Sequence, residues 1–155
     1  MLNWYVISEF TFLSLYFIPF FEKQGRRVIG SITGLFVAFC LFNIFFIQKD
    51  DYNTYSHSAG ALLMIAYSML YFLKQSNKEE VQTWGSNSFN WITTGILVYY
   101  ASCFFMFLFS GYIGKAGYDI GLAIWAAHDT VFVIQFFLFA IGFYKCKTQL
   151  IVSTL

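Results

Sequence analysis

IGLAIWAAHDTVFVIQFFLFAIGFYK, residues 120–145, decides the fold. It is predominantly apolar over more than the ~20 residues that a helix needs to cross ~30 Å of hydrocarbon at ~1.5 Å per residue. Inside it sit two adjacent ionisable residues, His128 and Asp129. A charge at the bilayer centre costs roughly 2.5 to 3.5 kcal/mol on insertion scales, so such residues face the protein interior or a water-filled cavity and mark functional sites. The rest of the chain must supply their partners.

Composition points the same way. The 155 residues are 59% hydrophobic and 23% aromatic, and only 11% are charged, against about 25% in an ordinary soluble domain. One proline and no low-complexity run leave no linker at which to divide the chain, so residues 1–155 read as a single transmembrane domain. The net charge is +1 and the nine basic residues are scattered. That excludes the basic stripe from which a nucleic-acid surface is built. Cys40, Cys103 and Cys146 lack the spacing of a zinc or redox motif and read as packing residues. No basic residue precedes Lys23, so the first apolar run lacks the charged start of a cleavable signal and is expected to remain as a helix.

Five runs are long enough to span: 2–21, 28–47, 57–73, 89–113 and 120–145. They predict an all-α, polytopic, antiparallel five-span bundle. Gly30 and Gly34 in the second run have GxxxG spacing, which lets helix backbones approach closely in lipid. Ser58, Ala59, Gly60 and Ala61 predict that the third run begins packed against neighbours. Trp91 and Tyr112 fall where an interfacial aromatic belt would lie. Lys23, Arg26, Arg27, Lys74, Lys78, Lys145 and Lys147 lie on one side, with only Lys49 and Lys115 opposite. The positive-inside rule then puts the N-terminus outside and the C-terminus in the cytoplasm.

With that orientation, residue counting places Glu9 roughly 10 Å deep, His128 and Asp129 roughly 12 to 14 Å, and Asn43 roughly 6 Å, with His57 at the outer edge. All lie in the outer half, as in a polar cavity open to the outside. Trp125, His128, Asp129 and Phe132 share one helical stripe, and Tyr5, Glu9, Phe12 and Tyr16 share another. Tyr99, Tyr100, Ser102 and Cys103 add polar groups at mid-depth. The convergence of Glu9, Tyr99, Tyr100, His128 and Asp129 predicts an aromatic-lined ligand or proton-binding pocket.

Each residue also has a plainer role. Glu9 can serve as a hydrogen-bonded packing residue, His128 and Asp129 as a local helix-fixing pair, and the tyrosines as aromatic fill. Ser102 or Cys103 beside His128 lacks the flanking motif of a hydrolase nucleophile, so no enzyme is expected. The two histidines, about 10 Å apart in depth by residue count, do not predict a metal or haem site, and no cofactor is expected. A proton path would need ionisable groups in the inner half, where these runs carry none.

The run FNWITTGILVYY at 89–100, with Trp125-Ala126-Ala127-His128 and Tyr5-Val6-Ile7-Ser8-Glu9-Phe10, resembles an uncharacterised family of multi-pass membrane proteins of Bacteroidetes bacteria. The resemblance covers most of the chain. It implies an often seven-helix architecture, with two helices upstream of those seen here, and no established activity. An amide is expected after the histidine, where this chain has Asp129. These observations together lead to a bacterial inner-membrane sensory or ligand-binding module acting through a membrane partner. The alternatives are a small transporter or channel subunit that oligomerises, with Gly30 and Gly34 as its contact face, and a structural subunit of a larger complex.

Overall fold

The computed structural model describes residues 2–47, 54–77, 83–113 and 117–153. The chain is an all-α bundle: α1 (Leu2–Phe17), α2 (Lys23–Phe42), α3 (Thr54–Ser76), α4 (Ser88–Leu108), a single short turn α5 (Ser110–Ile113) and α6 (Tyr118–Ser153). Four segments, Lys23–Ile47, Thr54–Ser76, Ser88–Leu108 and Tyr118–Lys147, are long and apolar enough to cross a membrane. The apolar Trp4–Phe20 is shorter. Even so, α1 with the 3-10 turn Ile18–Phe20 reaches about 30 Å at the rises of the two helix types, one bilayer core.

Helix ends differ from the apolar runs in a consistent way. The charged loop expected at 22–27 shrinks to Phe21 and Glu22, because α2 starts at Lys23 and carries Arg26 and Arg27 on its first turns. Similarly α6 continues past residue 145 to Ser153. Run length measures hydrocarbon, whereas Lys, Arg and Gln are good helix formers that extend a helix through the interface. The fourth run instead stops early, at Leu108, where Phe109 leaves helical geometry (φ −102°, ψ 11°) and α5 follows. A π-helical turn, Asn43–Ile47, continues α2. Lys49, Lys78 and Lys115 of the charge count lie outside the described residues.

Helix α4 is the spine, packed on one side by α3 and on the other by α6, while α1 lies against α2 and α3. Helices consecutive in the chain run antiparallel, whereas α1 and α3, whose starts share one end, run parallel. One end gathers the start of α1, the start of α3, the end of α4 and the first third of α6. The other end gathers the α1–α2 turn with the end of α3, where Lys74 faces Glu22 at 3.9 Å. The described basic residues, Lys23, Arg26, Arg27, Lys74, Lys145 and Lys147, all belong to this second, basic end.

Glycines set where helices come close. A Cβ on Gly60 would lie 3.2 Å from the Phe36 ring, one on Gly95 3.0 Å from the Phe139 ring, and one on Gly142 2.6 Å from Ile92. Gly60, with buried Ser58 and Ala61, confirms the packed start of α3. Gly30 and Gly34 behave otherwise: both are exposed, and a Cβ on either would meet nothing within 4 Å. Among the described residues their spacing therefore marks no close helix contact. The close approaches are made by glycines on three different helices, a pattern that no single-helix motif contains.

Candidate functional site

The α4–α6 seam positions the site. Ser88, Ile92, Gly95 and Tyr99 on α4 face Gly142, Phe139, Gln135, Phe132 and His128 on α6, at the alternating three- and four-residue steps of a helix stripe. At the basic end the stripe is small, Ser88 with Gly142 and Gly95 with Phe139, and the helices close. Toward the other end both stripes turn bulky, with Tyr99, Phe107, Phe132 and Trp125. Rings that meet across a seam keep backbones apart, and a cavity opens there.

The cavity has a volume of about 190 Å³. Its walls are Tyr5, Val6, Glu9 and Phe10 of α1, His57, Gly60 and Ala61 of α3, Tyr99, Tyr100 and Phe107 of α4, and Trp125, His128, Asp129 and Phe132 of α6. All five residues expected to converge, Glu9, Tyr99, Tyr100, His128 and Asp129, line this one space.

Two hydrogen-bonded groups organise it. On the α1 side the hydroxyls of Tyr5 and Tyr100 both donate to the Glu9 carboxylate. On the α6 side Tyr99 Oη lies 3.0 Å from His128 Nε2, and His128 Nδ1 lies 3.2 Å from Asp129 Oδ1. An ionised Asp129 can only accept, so Nδ1 then donates, Nε2 accepts and the Tyr99 hydroxyl donates. The adjacent rings of Tyr99 and Tyr100, edge to face at 5.0 Å, carry one hydroxyl to each group. Asp129 stands at the rim with its side chain 77% exposed, while that of His128 is 15% exposed.

His57 was expected at the outer edge and well separated from His128. Instead α3 begins at Thr54, which sinks His57 a turn into the helix and into the cavity wall. Its ring lies 5.3 Å from Phe107, which in turn lies 6.1 Å from His128. Phe107 itself carried no signal in the sequence beyond being one aromatic among many. Ser102 is exposed and Cys103 is buried, and neither lines the cavity. Among the described residues no three His, Cys, Asp or Glu side chains converge to hold a metal ion.

Polar groups also fill the basic end, where amides had gone unread. Asn90 accepts from Tyr71 Oη at 2.8 Å and donates to the Trp84 carbonyl at 2.9 Å, Gln75 donates to Tyr71 Oη at 3.0 Å, and Tyr16 Oη sits 3.1 Å from Thr93 Oγ1. Tyr71–Asn90 joins α3 to α4 and Tyr16–Thr93 joins α1 to α4, pairing polar atoms of the interior, and none of these bonds involves a carboxyl, amine or imidazole. At the opposite end Asn43 Nδ2 donates to Ser56 Oγ at 3.1 Å, tying the π-helical turn to the start of α3. No protein-family model matches the chain, and no curated protein or solved structure matches it significantly.

Proposed function

We propose that the chain is a sensory or ligand-binding module of a bacterial inner membrane, whose cavity faces outward and whose output passes to a partner protein. One observation carries this reading: four helices bring two carboxyl groups, three tyrosines and two imidazoles from distant sequence positions into a single ring-lined space. A concave, largely apolar pocket with a few convergent polar groups is the usual form of a small-molecule site. The basic end, by the positive-inside rule, is cytoplasmic, which turns the cavity to the outside. A transporter reading gains less support, because wholly buried Phe17, Met64, Thr93 and Ile96 fill the bundle beyond the cavity.

The test is accessibility. In a background with Cys40, Cys103 and Cys146 replaced, Phe132→Cys on the cavity wall and Phe137→Cys on the exposed apolar face of α6 are offered a membrane-impermeant thiol reagent from the outer side of sealed spheroplasts. Labelling of Phe132→Cys and protection of Phe137→Cys is the expected result. Equal protection of both would mean that the cavity does not open to outside water, and the reading would fail. Purified protein in liposomes should move no solute unaided, whereas a transporter would.

A further inference from the structure

We infer that the cavity is built for a small organic cation, an amine or quaternary ammonium ion held by Glu9 and Asp129 among aromatic rings. The inference rests on the ligand-binding reading above and names the chemistry of that same site.

Charge is the first observation. Glu9 on α1 and Asp129 on α6 line the space, and no lysine or arginine does. The described basic side chains all lie at the other end of the bundle. An anionic ligand would meet the Glu9 and Asp129 carboxyl groups with no lysine or arginine among the lining residues to offset them. A cation is the ligand whose charge this lining complements. The Glu9 carboxylate is already fixed by two hydroxyl donors, Tyr5 and Tyr100, and of its roughly four acceptor positions about two remain for a ligand.

The walls are the second. Tyr99, Phe107, Trp125 and Phe132 line the cavity beside His128. Rings that close together around one space form the aromatic cage in which ammonium ions are recognised, through attraction between the cation and the ring quadrupole within about 6 Å. Hard inorganic cations want six or more oxygen ligands, and this lining of rings does not supply them. Size agrees as well, since the volume of about 190 Å³ exceeds the ~150 Å³ of an engineered cavity that admits benzene.

The experiment uses the full chain purified in a maltoside detergent and titrated calorimetrically with choline, and with its neutral isostere in which a tert-butyl group replaces the trimethylammonium. Choline should bind about tenfold or more tightly than the isostere, and Glu9→Gln should abolish that preference. Trp125→Leu, at a rim position that is 45% exposed and so undemanding for folding, should weaken choline about two- to tenfold, the range of one cation–π contact. Equal binding of the two compounds overturns the cation and leaves the pocket standing. Absence of binding by either, with Phe132→Cys still labelled from outside, also overturns it. If Phe132→Cys is protected, the pocket reading itself has failed and takes this inference with it.

Discussion

Replacing Gly142 with alanine tests the seam on which the cavity depends. The new Cβ would sit 2.6 Å from Ile92 Cγ1, 3.3 Å from Ile92 Cδ1 and 3.0 Å from the Ser88 carbonyl oxygen. Carbon atoms in good contact sit about 3.5 to 4.0 Å apart, so the nearest atom must move by about 1 Å. It has no easy escape. Ile92 is β-branched, with one strongly preferred χ1 on a helix, and is 8% exposed; the second neighbour is backbone. Overpacking of this kind costs about 1 to 3 kcal/mol. Against it stands the helix preference for Ala over Gly, about 0.8 to 1.0 kcal/mol. Gly30→Ala provides the reference, since it gains the same preference and its Cβ meets nothing within 4 Å. The difference between the two variants isolates the overpacking, and Gly142→Ala should be less stable than Gly30→Ala by about 1 to 3 kcal/mol. Equilibrium unfolding by sodium dodecyl sulfate in mixed micelles measures it. Equal stability of the two would refute a close α4–α6 crossing at Gly142. Size-exclusion of the same samples serves a second purpose, because loss of an oligomer in Gly30→Ala would assign that face to contacts between chains.

Tyr99→Phe removes the hydroxyl 3.0 Å from His128 Nε2 and should destabilise the bundle by about 1 kcal/mol, the net worth of a neutral hydrogen bond. A double-mutant cycle with His128→Leu should return a coupling of that size, and a coupling near zero would dissolve the pair. Asn90→Ala, which takes partners from Tyr71 Oη and the Trp84 carbonyl, should cost about 2 to 3 kcal/mol, yet leave Phe132→Cys labelling unchanged because the network sits at the far end of α4. For sidedness, a green fluorescent protein fused after Leu155 should fluoresce and an alkaline phosphatase fused there should be inactive. The reverse pair of results would invert the orientation and put the cavity on the cytoplasmic side.

The number and order of the helices were legible because hydrocarbon imposes a length on any element that crosses it, and the runs report that length. Their ends were not, because Lys23 to Arg27 and Cys146 to Ser153 are helical residues outside the hydrocarbon pattern. The site was legible where helical periodicity suffices: His128, Asp129, Trp125 and Phe132 had to share a face, and the outer depth of Glu9 brought it to the same level. His57 was missed because depth was counted from the first apolar residue, while the helix starts at Thr54. Gly95 and Gly142 were missed for another reason. A glycine matters for what lies over it, and Phe139 and Ile92 belong to the opposite helix. Tyr99 and Tyr100 stood out as a pair, but that neighbours about 100° apart on a helix would each serve a different hydrogen-bonded group follows only from where α1 and α6 settle.

If the cavity does report a ligand, α6 is the element able to carry the report. Of its described side chains only Gln135 and Gly142 are buried, so it rests on α4 along one seam, pinned most tightly at Gly142. A rigid helix turning about that point has arms of about 21 Å to His128 and about 16 Å to Ser153, at ~1.5 Å per residue. A shift of about 1 Å at the cavity would therefore reach the basic end as about 0.8 Å, on the scale of the 1–2 Å helix shifts at switching interfaces. The lever transmits without amplifying, so the partner must read a small motion across a packed contact. That links the two halves of the proposal. Gly142→Ala, by jamming the pivot, should uncouple ligand binding from any response of the partner while leaving Glu9 and Asp129 in place. Retained binding with unchanged signalling in that variant would show that α6 does not turn there.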